Sequence, residues 1–166
     1  MEEDPVYEKA RYHALRYLSY RGRSVQEVRT KLREKGFNDT VIKKVVDRCI
    51  ELGYLGDENF ARQQARNLAI TRLWGDRKIE RNLVEKGVSH DLIKDAIAET
   101  REEKDERRAI EELVEKRLRR ESACGVFSYK GKRRVVQNIA SRGFPVGLIL
   151  DVLREMEPDD CDDCRP

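Results

Sequence analysis

The sequence predicts an all-α protein made of tandem three-helix-bundle repeats, three copies with about nine helices, in an elongated stack. Two observations carry this prediction: one pattern of apolar residues occurs three times, and the composition is too charged for one deep core. Charged residues make up 40% of the 166 residues and apolar residues 39%, with a mean hydropathy of −0.79. Small modules with thin cores and much wet surface fit these values better than a single globule.

The repeated pattern is centred on a basic residue followed by a glycine, namely Gly36, Gly87 or Gly143. Measured from that glycine, apolar residues stand at −8, −4, +1, +6 and +10 in every copy. Five matching positions around a basic–glycine pair indicate tandem structural repeats. The apolar positions, copy by copy, are Val28, Leu32, Phe37, Ile42 and Val46; Ile79, Leu83, Val88, Ile93 and Ile97; and Val135, Ile139, Phe144, Ile149 and Leu153.

The first repeat, residues 1–56, is predicted to contain three helices. Apolar residues at helical spacing place the first helix over 5–20. Ser24 is a suitable N-cap for the second helix, and Glu27, three residues later, completes a capping box. That helix ends at Gly36, since a left-handed residue is favoured just after a helix. The third helix follows at once.

The rest of the chain continues the same organisation. The second repeat covers 57–100 and turns at Trp74–Gly75, and the third covers 101–156, with a longer connection over about 122–132. No credible pair of strands is present. The last ten residues, 157–166, form an acidic tail that we expect to be disordered.

Positive charge is concentrated in two stretches. From Lys116 to Arg134 eight basic residues are opposed by Glu121 alone. A second basic stretch runs from Arg21 to Lys35. Such patches favour a polyanion, either nucleic acid or an acidic protein surface. The alternative, a merely solvated charged face, stays open on composition alone.

The chemistry of catalysis is poorly represented in this chain. His13 and His90 are its two histidines, and neither a Walker loop nor a GxGxxG motif occurs. Cys161 and Cys164 form one CxxC pair, whereas a closed structural zinc site needs two further ligands. We therefore expect a binding protein and not an enzyme, with no cofactor or metal. An acidic N-terminus and the lack of a long apolar run predict a cytoplasmic protein with no membrane contact.

Two central blocks, read together with the triple basic–glycine pattern, carry a family resemblance. One block is Leu52–Ala61, with the sequence LGYLGDENFA, and the other is Arg72–Val88, which begins RLWGDRKI. With them, nearly the whole chain resembles the RecX regulatory proteins. Where that family often has two acids after the Tyr-Leu pair, this chain has Gly56 and then Asp57.

The resemblance implies a curved molecule that binds the RecA recombinase filament on DNA. It implies inhibition of strand exchange, ATP turnover and SOS co-protease activity, with no cofactor. The partners would be the filament and its single-stranded DNA, weak direct DNA binding stays open, and we expect a monomer. By resemblance and charge together, the partner surface is predicted at Arg21, Arg23, Lys35, Arg72, Gly75, Arg77, Lys78, Arg120, Arg133 and Arg134.

Two other functions remain open from the residues. Helices 24–35 and 39–50 superficially match a helix-turn-helix, which would make the chain a direct DNA-binding protein. Against this, the pattern recurs three times and no single helix stands out as a recognition helix. An α-helical scaffold for an unrelated partner also fits the repeats, but it leaves the basic patches unexplained.

Overall fold

A computed structural model describes residues 4–121 and 129–156 of the chain. Within these ranges all regular structure is helical and no strand is present, which confirms the predicted all-α class. None of the helices described is long and apolar enough to cross a membrane. The α-helices are α1 (Pro5–Leu18), α2 (Val25–Glu34), α3 (Asp39–Glu51), α4 (Asp57–Arg66), α5 (Asp76–Glu85), α6 (His90–Glu103), α7 (Glu106–Glu121), α8 (Tyr129–Ala140) and α9 (Val146–Met156).

The capping box at the start of α2 and the left-handed glycine after it form as predicted. The Ser24 hydroxyl accepts a hydrogen bond from the Glu27 N–H at 3.1 Å, and the Glu27 carboxylate accepts one from the Ser24 N–H at 3.1 Å. This reciprocal pair is the predicted capping box. The pattern glycines Gly36, Gly87 and Gly143 have φ angles of 84°, 76° and 96°, the left-handed conformation that terminates a helix.

The described residues form two compact units. Unit 1 comprises the residues up to Ala65 together with Arg81–Ala96, and unit 2 comprises Arg66–Glu80 together with the residues from Ile97 onward. In unit 1, α1, α2 and α3 pack on one another. Their shared core contains Ala10, Ala14, Val28, Leu32, Val41, Ile42, Val45, Val46, Cys49 and Leu55.

In unit 2, α7, α8 and α9 pack on one another. Their core takes in one residue from the preceding segment, Leu73, and it includes Phe144, the apolar residue that follows the third pattern glycine. The core residues are Leu73, Ala109, Ile110, Val114, Val135, Ile139, Phe144, Ile149, Val152 and Leu153. Across both units the pattern positions are buried except Phe37 and Ile97, which are half-buried.

The structure departs from the predicted boundaries in three places. Helix α1 ends at Leu18, and α8 begins at Tyr129, earlier than the end of the predicted connection at residue 132. After α4 the chain continues through a π-helical turn, Asn67–Thr71, and Leu73 then adopts a φ of 52°. Neither the π-helical turn nor the positive φ of Leu73 has a recognisable signal in the sequence. The predictions for Cys161, Cys164 and the rest of the acidic tail lie outside the described residues.

Candidate polyanion interface

Five basic side chains line one groove of unit 2. We call it the basic groove; it encloses about 270 Å³, and no acidic residue lines it. It brings the predicted Arg72 and Arg120 together although they are far apart in the chain. Positive charge converging on a concave surface attracts phosphates and other polyanions. Its lining residues are Thr71, Arg72, Leu73, Leu113, Lys116, Arg117, Arg120, Asn138 and Arg142.

Two glycines allow the segment that carries Arg72 to approach the turn after α8. A methyl group built on Gly75 would lie 2.5 Å from the carbonyl carbon of Gly143 and 2.6 Å from its oxygen. A backbone hydrogen bond from the Gly75 N–H to the Arg142 carbonyl, at 2.9 Å, holds the two segments together. The Arg142 guanidinium in turn donates to the Arg72 carbonyl at 2.9 Å. Glycine is therefore required here because two backbones touch.

Gly75 is accordingly a correction to the predicted partner surface. It is buried, so it acts by positioning its neighbours and offers no contact surface of its own. Arg142 is the residue that the site prediction missed. Its signal was present, since it is the basic member of the third basic–glycine pair, but a local pattern does not say which residues it will meet.

Arg101, which carried no sequence signal as a site residue, fixes the Trp74–Asp76 turn next to the basic groove. Its Nε donates to the Asp76 carboxylate at 2.7 Å, and a terminal nitrogen donates to the Trp74 carbonyl at 2.9 Å. On the same turn, Glu106 accepts the Asp76 backbone N–H at 2.9 Å. Burial raises the pKa of Glu106 and outweighs the lowering by that hydrogen bond.

Arg77 and Lys78 of α5 follow this turn. Arg77 is exposed. Lys78 is half-buried, with its Nζ 4.6 Å from the centre of the Trp74 ring and donating to the Ser141 carbonyl at 3.2 Å. Lys78 thus ties α5 to the end of α8, and the charge left most accessible on this turn belongs to Arg77.

The predicted basic residues of unit 1 are largely engaged by one carboxylate. Glu27 accepts a hydrogen bond from Arg21 at 2.8 Å and from Lys86 at 3.1 Å, and Arg23 lies 3.8 Å away. Burial by itself raises the pKa of Glu27, but the hydrogen bonds from Arg21, the Ser24 backbone and Lys86 together lower it. The positive field near Arg21 is therefore partly cancelled.

Arg23 and Lys35 differ sharply in accessibility. Arg23 stacks over the Tyr17 ring at 4.0 Å and its side chain is 14% exposed. It therefore packs against the protein and presents little of its charge to a polyanion. Lys35 is exposed at the end of α2 and lines a depression together with Lys9 and His13. Of the predicted residues in unit 1, Lys35 is thus the most available to an outside partner.

The dense basic stretch of the sequence is split between two surfaces of unit 2. Lys116 and Arg120 line the basic groove, whereas Arg133 lines a second groove, and Arg133 does not line the first. Arg133 and Arg134 are both exposed, and neither pairs with a carboxylate whose side chain the structure describes. The structure therefore brings together Arg72 and Arg120, and it leaves Arg133 and Arg134 outside that cluster.

Comparison with known protein families identifies the family of this chain. Residues 10–49 match the family model for the first three-helix domain of RecX, and residues 57–97 match the model for the second. The regulatory protein RecX of Mycobacterium sp. (strain JLS) is 34% identical over 148 residues, which cover 88% of this chain and 80% of that protein. The chain belongs to the RecX family.

Other RecX proteins agree in sequence and in fold. The regulatory protein RecX of Mycolicibacterium smegmatis is 35% identical, over 88% of this chain and 78% of its own length. The crystal structure of RecX from Lactobacillus salivarius superimposes with a TM-score of 0.77 at 28% identity, covering 91% of this chain and 96% of that one. A second RecX crystal structure, 22% identical with a TM-score of 0.73, supports the fold alone.

Proposed function

We propose that this RecX-family chain binds the RecA recombinase filament on DNA and inhibits recombination, ATP hydrolysis and co-protease activity. Membership of a family whose relatives are named regulatory proteins supports a regulatory role. The filament as target is what the family resemblance implies. The single observation that carries the proposal in the structure is the basic groove, because a filament on DNA presents repeated phosphates and a polymeric surface.

The groove would contribute a salt-sensitive share of the affinity. Neutralising a phosphate releases condensed counterions, so the logarithm of the binding constant falls as the logarithm of the salt concentration rises. Three tandem repeats in an elongated, curved arrangement would add contacts along the filament. Linked weak sites act at a high effective concentration and bind far more tightly together than each does alone.

The residues proposed to make contact divide by accessibility. Arg72, Arg77, Arg120, Arg133, Arg134 and Lys35 are exposed, and we assign them direct contact. Arg21, Arg23 and Lys78 are held by partners within the chain. We therefore propose that they maintain the shape and the positive potential of the surface without contacting the partner directly. No chemical step is assigned to any residue, and the proposed activity is regulation without catalysis.

The experiment that tests this function is a RecA ATPase assay on single-stranded DNA. Purified chain is added at ratios well below one per recombinase protomer, and ATP turnover is followed. We expect turnover to fall, because one bound regulator affects a filament of many protomers. Unchanged turnover up to equimolar protein contradicts the proposal.

Binding without recombinase separates this function from a direct DNA-binding role. The same protein is titrated onto a single-stranded oligonucleotide and onto duplexes of several sequences. The proposed function predicts weak binding that does not depend on sequence. Tight binding to one duplex would instead favour the helix-turn-helix alternative.

A further inference from the structure

The basic–glycine turn that follows α5 holds the beginning of another helix, α2. The Ser24 hydroxyl donates a hydrogen bond to the Lys86 carbonyl at 2.6 Å. A methyl group built on Gly87 would lie 2.6 Å from Cβ of Gln26, so the glycine allows the helix to approach closely. The Lys86 side chain completes the contact by donating to the Glu27 carboxylate at 3.1 Å. This turn therefore engages the residue just before α2 and two residues of its first turn.

The basic–glycine turn that follows α8 holds the beginning of α5 in the same way. The Arg142 carbonyl accepts a hydrogen bond at 2.9 Å from the N–H of Gly75, the residue just before α5. A methyl group built on Gly143 would lie 2.6 Å from Cβ of Lys78, in the first turn of α5. The Arg142 side chain also donates to an oxygen, the Arg72 carbonyl. The first contact lies within unit 1 and the second within unit 2, so one mode of helix docking occurs twice.

The basic–glycine turn that follows α2 holds no helix start among the described residues. A methyl group built on Gly36 would meet no described atom within 4 Å. The Lys35 carbonyl accepts no hydrogen bond from a described residue. Lys35 is exposed and Phe37 is half-buried, whereas the equivalent residues of the other two turns are half-buried and buried, respectively. The turn after α2 thus shares the pattern of the other two turns and lacks the helix that covers them.

The depression beside this turn is basic and partly apolar. It encloses about 540 Å³, and α1 contributes Val6, Lys9 and His13 to its wall. No acidic residue lines it, and neither Lys9 nor Lys35 pairs with a carboxylate that the structure describes. Acidic residues are favoured in the first turn of a helix, where they offset the partial positive charge of its N-terminus. The charge of the depression therefore complements an acidic helix start.

Two other occupants fit this depression less well. A second copy of the chain offers the start of α8, since the starts of α2 and α5 already hold the other two turns. The first turn of α8 contains no acidic residue and includes Lys130 and Lys132, which would repel Lys9 and Lys35. A nucleic acid would satisfy these lysines, but its phosphates carry no donor for the Lys35 carbonyl. A helix start supplies both the donor and the negative charge.

We propose that the turn Lys35–Gly36–Phe37 binds the beginning of a helix from a partner protein. The occupant carries a capping box, a serine or threonine followed three residues later by a glutamate, as the start of α2 does. Its hydroxyl donates to the Lys35 carbonyl, its glutamate pairs with the Lys35 ammonium, and the residue before that glutamate crosses Gly36. This docking does not depend on the proposed function. It assigns a protein contact, and not a phosphate, to the most accessible predicted cation of unit 1.

Docking is tested by NMR titration of the whole chain with a helical peptide. The probe is an acetylated, alanine-rich peptide that begins Ser-Val-Gln-Glu, the sequence that starts α2, and it is cross-linked because short isolated helices are marginal in water. The control peptide begins Ala-Val-Gln-Ala and is otherwise identical. We expect the amide signals of Gly36 and Phe37 to shift with the probe. The control should bind about tenfold more weakly, because it lacks one hydrogen bond and one ion pair.

A variant of the turn and three further outcomes complete the test. Lys35→Glu should weaken binding of the probe by about five- to tenfold, whereas Lys44→Glu, an equal charge change at an exposed residue of α3, should bind like the wild type. Equal binding of probe and control peptide, or a Gly36 signal that does not move at millimolar probe, overturns the proposal.

The remaining outcomes identify another occupant and overturn the proposal too. A Gly36 signal that moves with protein concentration alone indicates a second copy. A Gly36 signal that responds to a single-stranded oligonucleotide and not to the probe indicates a nucleic acid. No recombinase is present in these titrations, so their failure is distinguishable from failure of the proposed function.

Discussion

The close approach of Gly75 and Gly143 gives the sharpest stability prediction. Gly75→Ala adds a methyl group 2.5 Å from the Gly143 carbonyl carbon and 2.6 Å from the Phe144 nitrogen. All of these neighbours are backbone atoms, so no flexible side chain can yield. Overpacking of this kind costs about 1–3 kcal/mol, occasionally more. We expect a decrease in stability of about 3 kcal/mol, at the upper end of that range, since the shift also strains the Gly75–Arg142 hydrogen bond.

The matched control is the same substitution at Gly147, in the first turn of α9. A methyl group there meets no atom within 4 Å, and replacing a helical glycine by alanine stabilises by about 0.5–1 kcal/mol. For a chain of this size 1 kcal/mol corresponds to about 2–4 °C in Tm, so thermal melts followed by circular dichroism should show Gly75→Ala lower by about 6–12 °C. Gly147→Ala should melt slightly above the wild type. A Gly75→Ala protein that melts with the wild type refutes the close approach.

Three further substitutions test the energetics of both units. Phe144→Ala should cost about 3–5 kcal/mol in urea unfolding, because it empties a buried aromatic site. The pKa of Glu27 is lowered in the folded chain, so the ionised carboxylate stabilises the fold above its ordinary pKa and this stabilisation is lost as pH falls. Glu27→Gln should therefore flatten the decline in stability below about pH 4.5. The pKa of Glu106 is raised in the folded chain. The wild type therefore loses stability as pH rises above the ordinary pKa of a glutamate, and Glu106→Gln should flatten that fall. Urea midpoints measured across pH check both, and identical pH profiles of variant and wild type would contradict either assignment.

Local features of the fold could be predicted because their causes are local. A capping box at Ser24 and Glu27 needs only residues three apart, and a left-handed glycine after a helix needs only its own missing side chain. The repeated apolar pattern likewise marked positions that are nearly all buried, with only Phe37 and Ile97 half-buried. The π-helical turn before Arg72 and the positive φ of Leu73 had no such local cause.

The candidate site could be predicted only in part, because it depends on contacts between residues that are distant in sequence. Charge density along the chain pointed to Arg120 and its neighbours, and the family resemblance pointed to Arg72. Their meeting depends on the Gly75–Gly143 approach and on Arg101 holding the turn, and both of these bring together residues that are distant in sequence. A sequence shows where cations are concentrated, but the partners that cancel some of them, such as Glu27 in unit 1, emerge only from packing.

The most direct test of the central claim measures filament binding by a variant of the basic groove. Arg72→Glu with Arg120→Glu is compared with Lys44→Glu with Arg48→Glu, an equal charge change on exposed residues of α3. Affinity for RecA filaments on single-stranded DNA is measured across salt concentrations. We predict that the groove variant binds at least about tenfold more weakly, with a salt slope reduced by about one for each phosphate that it no longer neutralises, while the control stays near the wild type. Equal affinity and equal salt slope in the two variants would contradict the claim.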